Sequence, residues 1–164
     1  MKIILRKEKW LHDVANLAYV AADISGGEDA HAVHQTFDIC EAGNGDRVAR
    51  VAGLAFAAVQ EALGRLARVP RPPRTLRDLS AVARDYVIEL DDCRLRHAPA
   101  ALPVLVKELA HEYIVCMVLA DWLSLTLPAL APPWREKARL CLERLRGCAA
   151  GPLPAVYRRR IPQL

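Results

Sequence analysis

Residues 103–127 read PVLVKELAHEYIVCMVLADWLSLTL, and this stretch decides the fold class. Strong helix formers dominate it, and it contains no proline or glycine after Pro103. Asp121 and Pro128 interrupt its apolar part before it reaches the roughly 18 clean residues that a membrane-spanning helix needs. We therefore predict a long helix in the centre of a globular protein.

Proline divides the rest of the chain into helical blocks. None occurs before Pro70, and the later ones fall in clusters. Proline breaks helix interiors but is tolerated in first turns and loops. Between the breaks, apolar residues recur at three- and four-residue spacing, which is typical of amphipathic helices. The six predicted helices cover 7–24, 29–41, 46–66, the stretch from a Thr75 cap to about Leu90, 103–127 and 132–147.

These blocks predict an all-α, single-domain bundle of about six helices, mostly antiparallel neighbours because the links are short. The third predicted helix is uncharged over 51–60, so we expect it to be central together with the fifth. Only Ile3 to Leu5 reads as a short extended start. We assign 1–147 to the helical domain and 148–164 to an irregular basic tail.

Composition excludes several classes of protein. Hydrophobic residues make up 53% and charged residues 26%, which is typical of a folded, soluble domain. The first apolar run is too short for a signal peptide. Five cysteines without a Cys-x-x-Cys motif predict reduced, buried thiols and a cytoplasmic protein with no membrane contact. They are Cys40, Cys93, Cys116, Cys141 and Cys148.

Histidines and carboxylates on two predicted helices form a candidate metal site. His31 and His34 share an arc of the second helix, and Glu108, His111 and Glu112 share an arc of the fifth. Glu-x-x-His is the spacing that places two ligands on one ion in carboxylate-bridged di-metal bundles. The motif occurs once here, and a solvated face with local ion pairs explains the same charges. A divalent metal is therefore an alternative, and no cofactor is favoured.

Positive charge is concentrated at the C-terminal end of the chain. Residues 133–164 hold eight basic and two acidic residues, whereas the rest is slightly acidic. Such a block could contact phosphate groups or an acidic partner. It lacks a helix-turn-helix or another known nucleic-acid-binding motif. A solvated last helix followed by a tail would have the same composition. The candidate contacts are Arg135, Lys137, Arg139, Arg158, Arg159 and Arg160.

No motif identifies a reaction. The chain has no Gly-x-Ser-x-Gly, phosphate loop or dinucleotide fingerprint. We therefore expect a non-enzymatic module for protein interaction or structure, whose partner is another protein or a second copy. Metal-dependent catalysis and nucleic-acid or acidic-partner binding are the alternatives. The patch expected to form the interface comprises Trp122, Leu123, Leu125, Leu127 and Leu130.

Overall fold

A computed structural model describes residues 1–25, 35–41, 43–67, 85–96 and 98–150. Within those ranges the chain forms a bundle of five α-helices with a small β-ribbon, which confirms the predominantly helical fold. The elements are β1 (Lys2–Leu5), α1 (Lys7–Ser25), α2 (Gly45–Leu63), β2 (Tyr86–Glu89), α3 (Asp92–Leu95), α4 (Leu102–Thr126) and α5 (Ala131–Ala150). Short 3-10 turns cover Asp38–Cys40, Gly64–Leu66 and Pro128–Leu130.

Helix α4 is central, as the apolar stretch predicts. Twelve of its 25 residues are buried, and it contacts α1, α2 and α5. Ile114, Leu119 and Leu123 have no exposed surface. A helix that is apolar on nearly all sides must be surrounded by other elements. Helix α2 packs against both α4 and α5 with one face, so it also lies within the bundle.

The β-ribbon fixes the start of the chain to the bundle. Its strands run antiparallel, with Ile3 opposite Ile88 and Ile4 opposite Val87. Ile3 and Ile88 are buried whereas Ile4 and Val87 are exposed, as the two-residue period of a strand requires. The backbone N–H of Leu90 donates to the Met1 carbonyl oxygen at 2.8 Å and extends the pairing. The extended start expected at Ile3 is confirmed.

The helix predicted from Thr75 to Leu90 is wrong at its C-terminal end, where Tyr86–Glu89 forms β2. Tyr86 and Leu90 are four residues apart, a spacing that fits both a helix face and alternate positions of a strand. The aromatic and β-branched residues from Tyr86 to Ile88 favour the strand once β1 is available for pairing. The described chain therefore has five α-helices and not six. Residues 26–34 and 68–84, which hold the first part of the second predicted helix and most of the fourth, lie outside the described ranges.

The apolar patch expected near the end of α4 does not form as a surface. Trp122 is 8% exposed and Leu123 has no exposed surface, because neighbouring helices cover both side chains. The Trp122 Nε1–H donates to the Thr36 carbonyl oxygen at 3.2 Å. Leu125 is exposed, and Leu127 and Leu130 are half-buried. The excess apolar area of α4 is thus used mainly within the chain.

The cysteines differ in burial more than expected. Cys116 and Cys141 are buried between α4 and α5, and Cys148 is half-buried on the last turns of α5. Cys40 and Cys93 are exposed, which contradicts the prediction that all five are buried. The reason is that Cys40 follows the buried Ile39 at the end of a 3-10 turn and Cys93 lies in a four-residue surface helix, so both thiols lie on the outer side of their elements.

Candidate functional site

The predicted Glu-x-x-His pair lies beside the β-ribbon, and its histidine is held by another residue. Glu108 and His111 line a small recess of about 70 Å³ next to Ile4. The Nε2 atom of His111 lies 2.6 Å from Oδ2 of Asp13 on α1. His111 is only 11% exposed, so this contact links α1 to α4 in a partly buried setting. The histidine acts as a structural link between two helices.

Glu112 faces a different neighbour. It forms an ion pair with Lys137 of α5, and the Cys116 thiol donates to its Oε1 atom at 3.6 Å. Within the ranges that the structure describes, no three His, Cys, Asp or Glu side chains are arranged to hold a metal ion. The structure thus brings Glu108 and His111 to one recess but places Glu112 with α5. His31 and His34 lie outside the described residues.

The thiol of Cys116, between α4 and α5, is held in an unreactive state. Burial, together with the nearby negative charge of Glu112, raises the pKa of Cys116 to about 12. The hydrogen bond to Glu112 also raises the pKa of Lys137, whose ammonium lies 5.5 Å from the centre of the Trp134 ring. A protonated thiol is a poor nucleophile, so this cluster stabilises the helix pair and offers no reactive group.

The basic candidates on α5 are largely paired with carboxylates. Lys137 contacts Glu112 on α4, and Arg139 lies between Glu136 and Glu143 of its own helix. Arg135 is exposed. Pairs at i,i+3 and i,i+4 are the ordinary arrangement of a solvated helix face. The remaining candidates, Arg158, Arg159 and Arg160, lie outside the described residues.

A cleft of about 610 Å³ opens between the N-terminal half of α1 and the chain that leads into α2. Its floor is formed by Ile39 and Val48, which are buried in the core. Leu11 and Ala15 form the wall on α1 and are only partly buried. The volume lies in the range of roughly 300–1,000 Å³ that binding pockets commonly have. The cleft is therefore an apolar concavity large enough to receive part of another molecule.

Charged side chains surround one end of this cleft. Its lining includes the carboxylates of Glu8, Glu41 and Asp46 and the ammonium of Lys7. Among the described residues, none of the three carboxylates forms an ion pair with a basic side chain. Glu8 and Asp46 lie in the first turns of α1 and α2, where the positive end of the helix dipole stabilises a carboxylate. This end of the cleft is net negative.

An exposed aromatic pair continues the cleft along α1. Tyr19 and Phe37 stack with their ring centres 5.0 Å apart, yet they remain 57% and 38% exposed. Glu8, His12, Ala15 and Tyr19 follow one another at four- and three-residue spacing, so they share one stripe of the helix. At a rise of 1.5 Å per residue that stripe is roughly 16 Å long.

The opposite wall runs antiparallel to α1. Phe37 contacts Tyr19, whereas the Cys40 thiol three residues later lies 3.8 Å from the carbonyl oxygen of Leu11. The cleft and the aromatic pair therefore follow one another along α1, and we name them together the α1 groove. Its principal side chains are Glu8, Leu11 and Ala15, then Tyr19 with Phe37.

No protein-family model, curated protein or solved structure matches this chain. None of the described helices combines the length and the hydrophobicity needed to cross a membrane. The function of the chain is therefore inferred from the geometry of its own residues.

Proposed function

We propose that this chain is a non-enzymatic interaction module that binds a helical segment of a partner protein in the α1 groove. The observations that carry the proposal are the apolar cleft and the exposed Tyr19–Phe37 pair, whose Tyr19 lies one helical turn beyond Ala15 on the same stripe of α1. A helix that binds in a groove uses apolar anchors at positions i, i+3 or i+4, and i+7, which span about 10 Å. A surface of roughly 16 Å accommodates three such anchors.

The aromatic pair favours a protein partner over a small molecule. A ligand of pocket size would fill the cleft beside Leu11 and Ala15 and would not need the rings of Tyr19 and Phe37. Aromatic side chains are enriched among the residues that contribute most to protein interfaces. Each square ångström of apolar surface removed from water contributes about 25 cal/mol, so covering two half-exposed rings is favourable.

The alternative functions have less support from the described residues. His111 is held by Asp13, and Glu112 by Lys137, so neither is aimed at a shared metal position. Lys137 and Arg139 are likewise paired with carboxylates, which reduces their attraction for phosphate. Metal-dependent catalysis and nucleic-acid binding therefore rest mainly on sequence patterns.

The partner of the α1 groove is either another protein or a second copy of this chain. We also place the protein in the cytoplasm, because its five cysteines are free thiols and two of them are exposed. Exposed free thiols are common in a reducing compartment and are seldom retained in an oxidising one.

Selection of helical peptides against the folded chain tests the proposal. Ala15→Arg places a long charged side chain in the cleft, and Ala57→Arg makes the same change at an exposed position of α2. We expect selected peptides to lose affinity for Ala15→Arg by about tenfold or more and to keep it for Ala57→Arg. Peptides that tolerate both variants equally, or a selection that yields none, would overturn the proposal.

Sedimentation of the same variants identifies the second-copy case. If the partner is a second copy, the unmodified chain and Ala57→Arg should dimerise, whereas Ala15→Arg should remain monomeric. A dimer that Ala15→Arg leaves intact would assign self-association to a different surface and contradict the groove as its interface.

A further inference from the structure

We infer that the partner of the α1 groove is a basic amphipathic helix that lies antiparallel to α1, with lysine or arginine in its last turn facing Glu8, Glu41 and Asp46. This inference rests on the proposed function, because it specifies the partner of the same groove. It follows from the distribution of charge along the groove and from the directions of the helices that begin there.

The α1 groove is polar at one end and aromatic at the other. Glu8, Glu41 and Asp46 lie around the cleft with Lys7 as the single ammonium among the residues that line it. The far end consists of the stacked rings of Tyr19 and Phe37. Interfaces pair potentials of opposite sign, so the matching ligand carries positive charge at one end and apolar side chains along the rest. Three carboxylates repel phosphate, which disfavours nucleic acid or an anionic lipid surface as the occupant.

The directions of α1 and α2 select the orientation of the bound helix. Both begin at the acidic end of the cleft, at Lys7 and Gly45, and therefore place the positive ends of their dipoles there. The negative C-terminal end of a partner helix is attracted to that position. Lysine and arginine in the last turn of a helix are stabilised by its own dipole, and here they also meet the carboxylates. A helix in the reverse orientation would bring its positive end to the positive ends of α1 and α2.

Three synthetic helical peptides with one shared apolar stripe test this inference. The first carries lysines in its last turn, the second carries the same lysines in its first turn, and the third carries glutamates in its last turn. Affinities are measured by fluorescence anisotropy at low and at physiological salt. We expect the first peptide to bind tightest, by about fivefold or more over the second, and to weaken as salt screens the charges.

Charge-neutral variants assign the effect to particular carboxylates. The double variant Glu8→Gln with Asp46→Asn should reduce the advantage of the first peptide to about twofold or less, while Glu61→Gln on the exposed end of α2 should leave it unchanged. Equal binding of all three peptides that is still lost in Ala15→Arg would overturn this inference and leave the proposed function standing. Binding of no peptide at the groove would overturn both.

Discussion

The two sides of α1 use charged residues in opposite ways. On the side that faces α4, Asp13 contacts His111 at 2.6 Å, and Trp10 and Val14 nearby have no exposed surface. On the groove side, Glu8 forms no ion pair with any described basic residue, and Tyr19 is 57% exposed. Most buried polar groups of a folded protein find partners within the chain, as His111 finds Asp13, whereas the buried Trp10 Nε1–H has no hydrogen-bond partner among the described residues. The contrast therefore distinguishes a side of α1 that the fold covers from a side that stays exposed, where we propose that the partner binds.

The largest expected effect is the difference between substitutions at two neighbouring residues, Trp10 and Leu11, which lie on these two sides of α1. Trp10→Ala empties a fully buried position that stacks on Tyr86, and we expect it to lower the free energy of unfolding by about 3–5 kcal/mol. Leu11→Ala removes a partly buried wall of the cleft and leaves no enclosed cavity, so we expect a loss of about 1 kcal/mol. Urea denaturation measures both. Equal losses would show that the cleft belongs to the interior.

A smaller effect is expected when two carboxylates of α1, Asp13 and Glu8, are removed in turn. Asp13→Ala removes the partner of His111, and because the Asp13 side chain is 36% exposed we expect a loss of only about 1–2 kcal/mol. Glu8→Ala changes an exposed residue of the groove and should alter the free energy of unfolding by less than about 0.5 kcal/mol. The same urea titration gives both values. A loss for Glu8→Ala as large as that for Asp13→Ala would place Glu8 in an intramolecular pair and contradict the open groove.

The third effect is confined to alkaline pH and concerns the Cys116 thiol between α4 and α5. Its pKa is raised from 9.0 to about 12 in the folded chain, so the folded state favours the protonated thiol. The stabilisation is fully present below pH 9 and is lost as the pH rises towards 12. Cys116→Val should remove this contribution, so that stability falls with pH above 9 less steeply by about 1 kcal/mol per pH unit.

Denaturation at a series of alkaline pH values measures that slope. Cys93→Val changes an exposed thiol and serves as the matched control, whose slope should equal that of the unmodified chain. Burial also raises the pKa of Cys141 and Tyr113, so part of the alkaline loss should persist in both variants. A Cys116→Val slope identical to that of the control would contradict the buried, protonated thiol.

The sequence predicts those elements whose buried residues recur with a single regular spacing along the chain. The apolar rhythm of α1 and α4 predicts both helices to within two residues at each end, because each buries a stripe or nearly its whole surface. It fails at β2, where Tyr86, Ile88 and Leu90 lie on the buried side at two-residue spacing while Tyr86 and Leu90 alone also fit a helix. Pairing with β1, 84 residues earlier in the chain, decides between these possibilities, and a local pattern carries no information about that partner.

The candidate site depends even more on long-range contacts. Sequence spacing places Glu108 and His111 on one arc, but it does not reveal that Asp13 faces the histidine. The α1 groove forms because Phe37, Cys40 and the first turn of α2 lie beside α1, a placement that no spacing within either segment indicates. One feature of the sequence does indicate the groove: Tyr19 lies on α1 outside the apolar stripe that defines the buried face of this helix.

Mapping the binding surface on the chain itself by NMR tests the α1 groove most directly. Amide resonances are followed while the peptide with lysines in its last turn is added to isotopically labelled protein. If the peptide binds in the α1 groove, the largest shift changes should fall on Leu11, Ala15, Tyr19 and Phe37, and the resonances of the α4–α5 contact should not move. Shift changes centred on Arg135 and Arg139 of α5, or none on α1, would contradict binding in the groove.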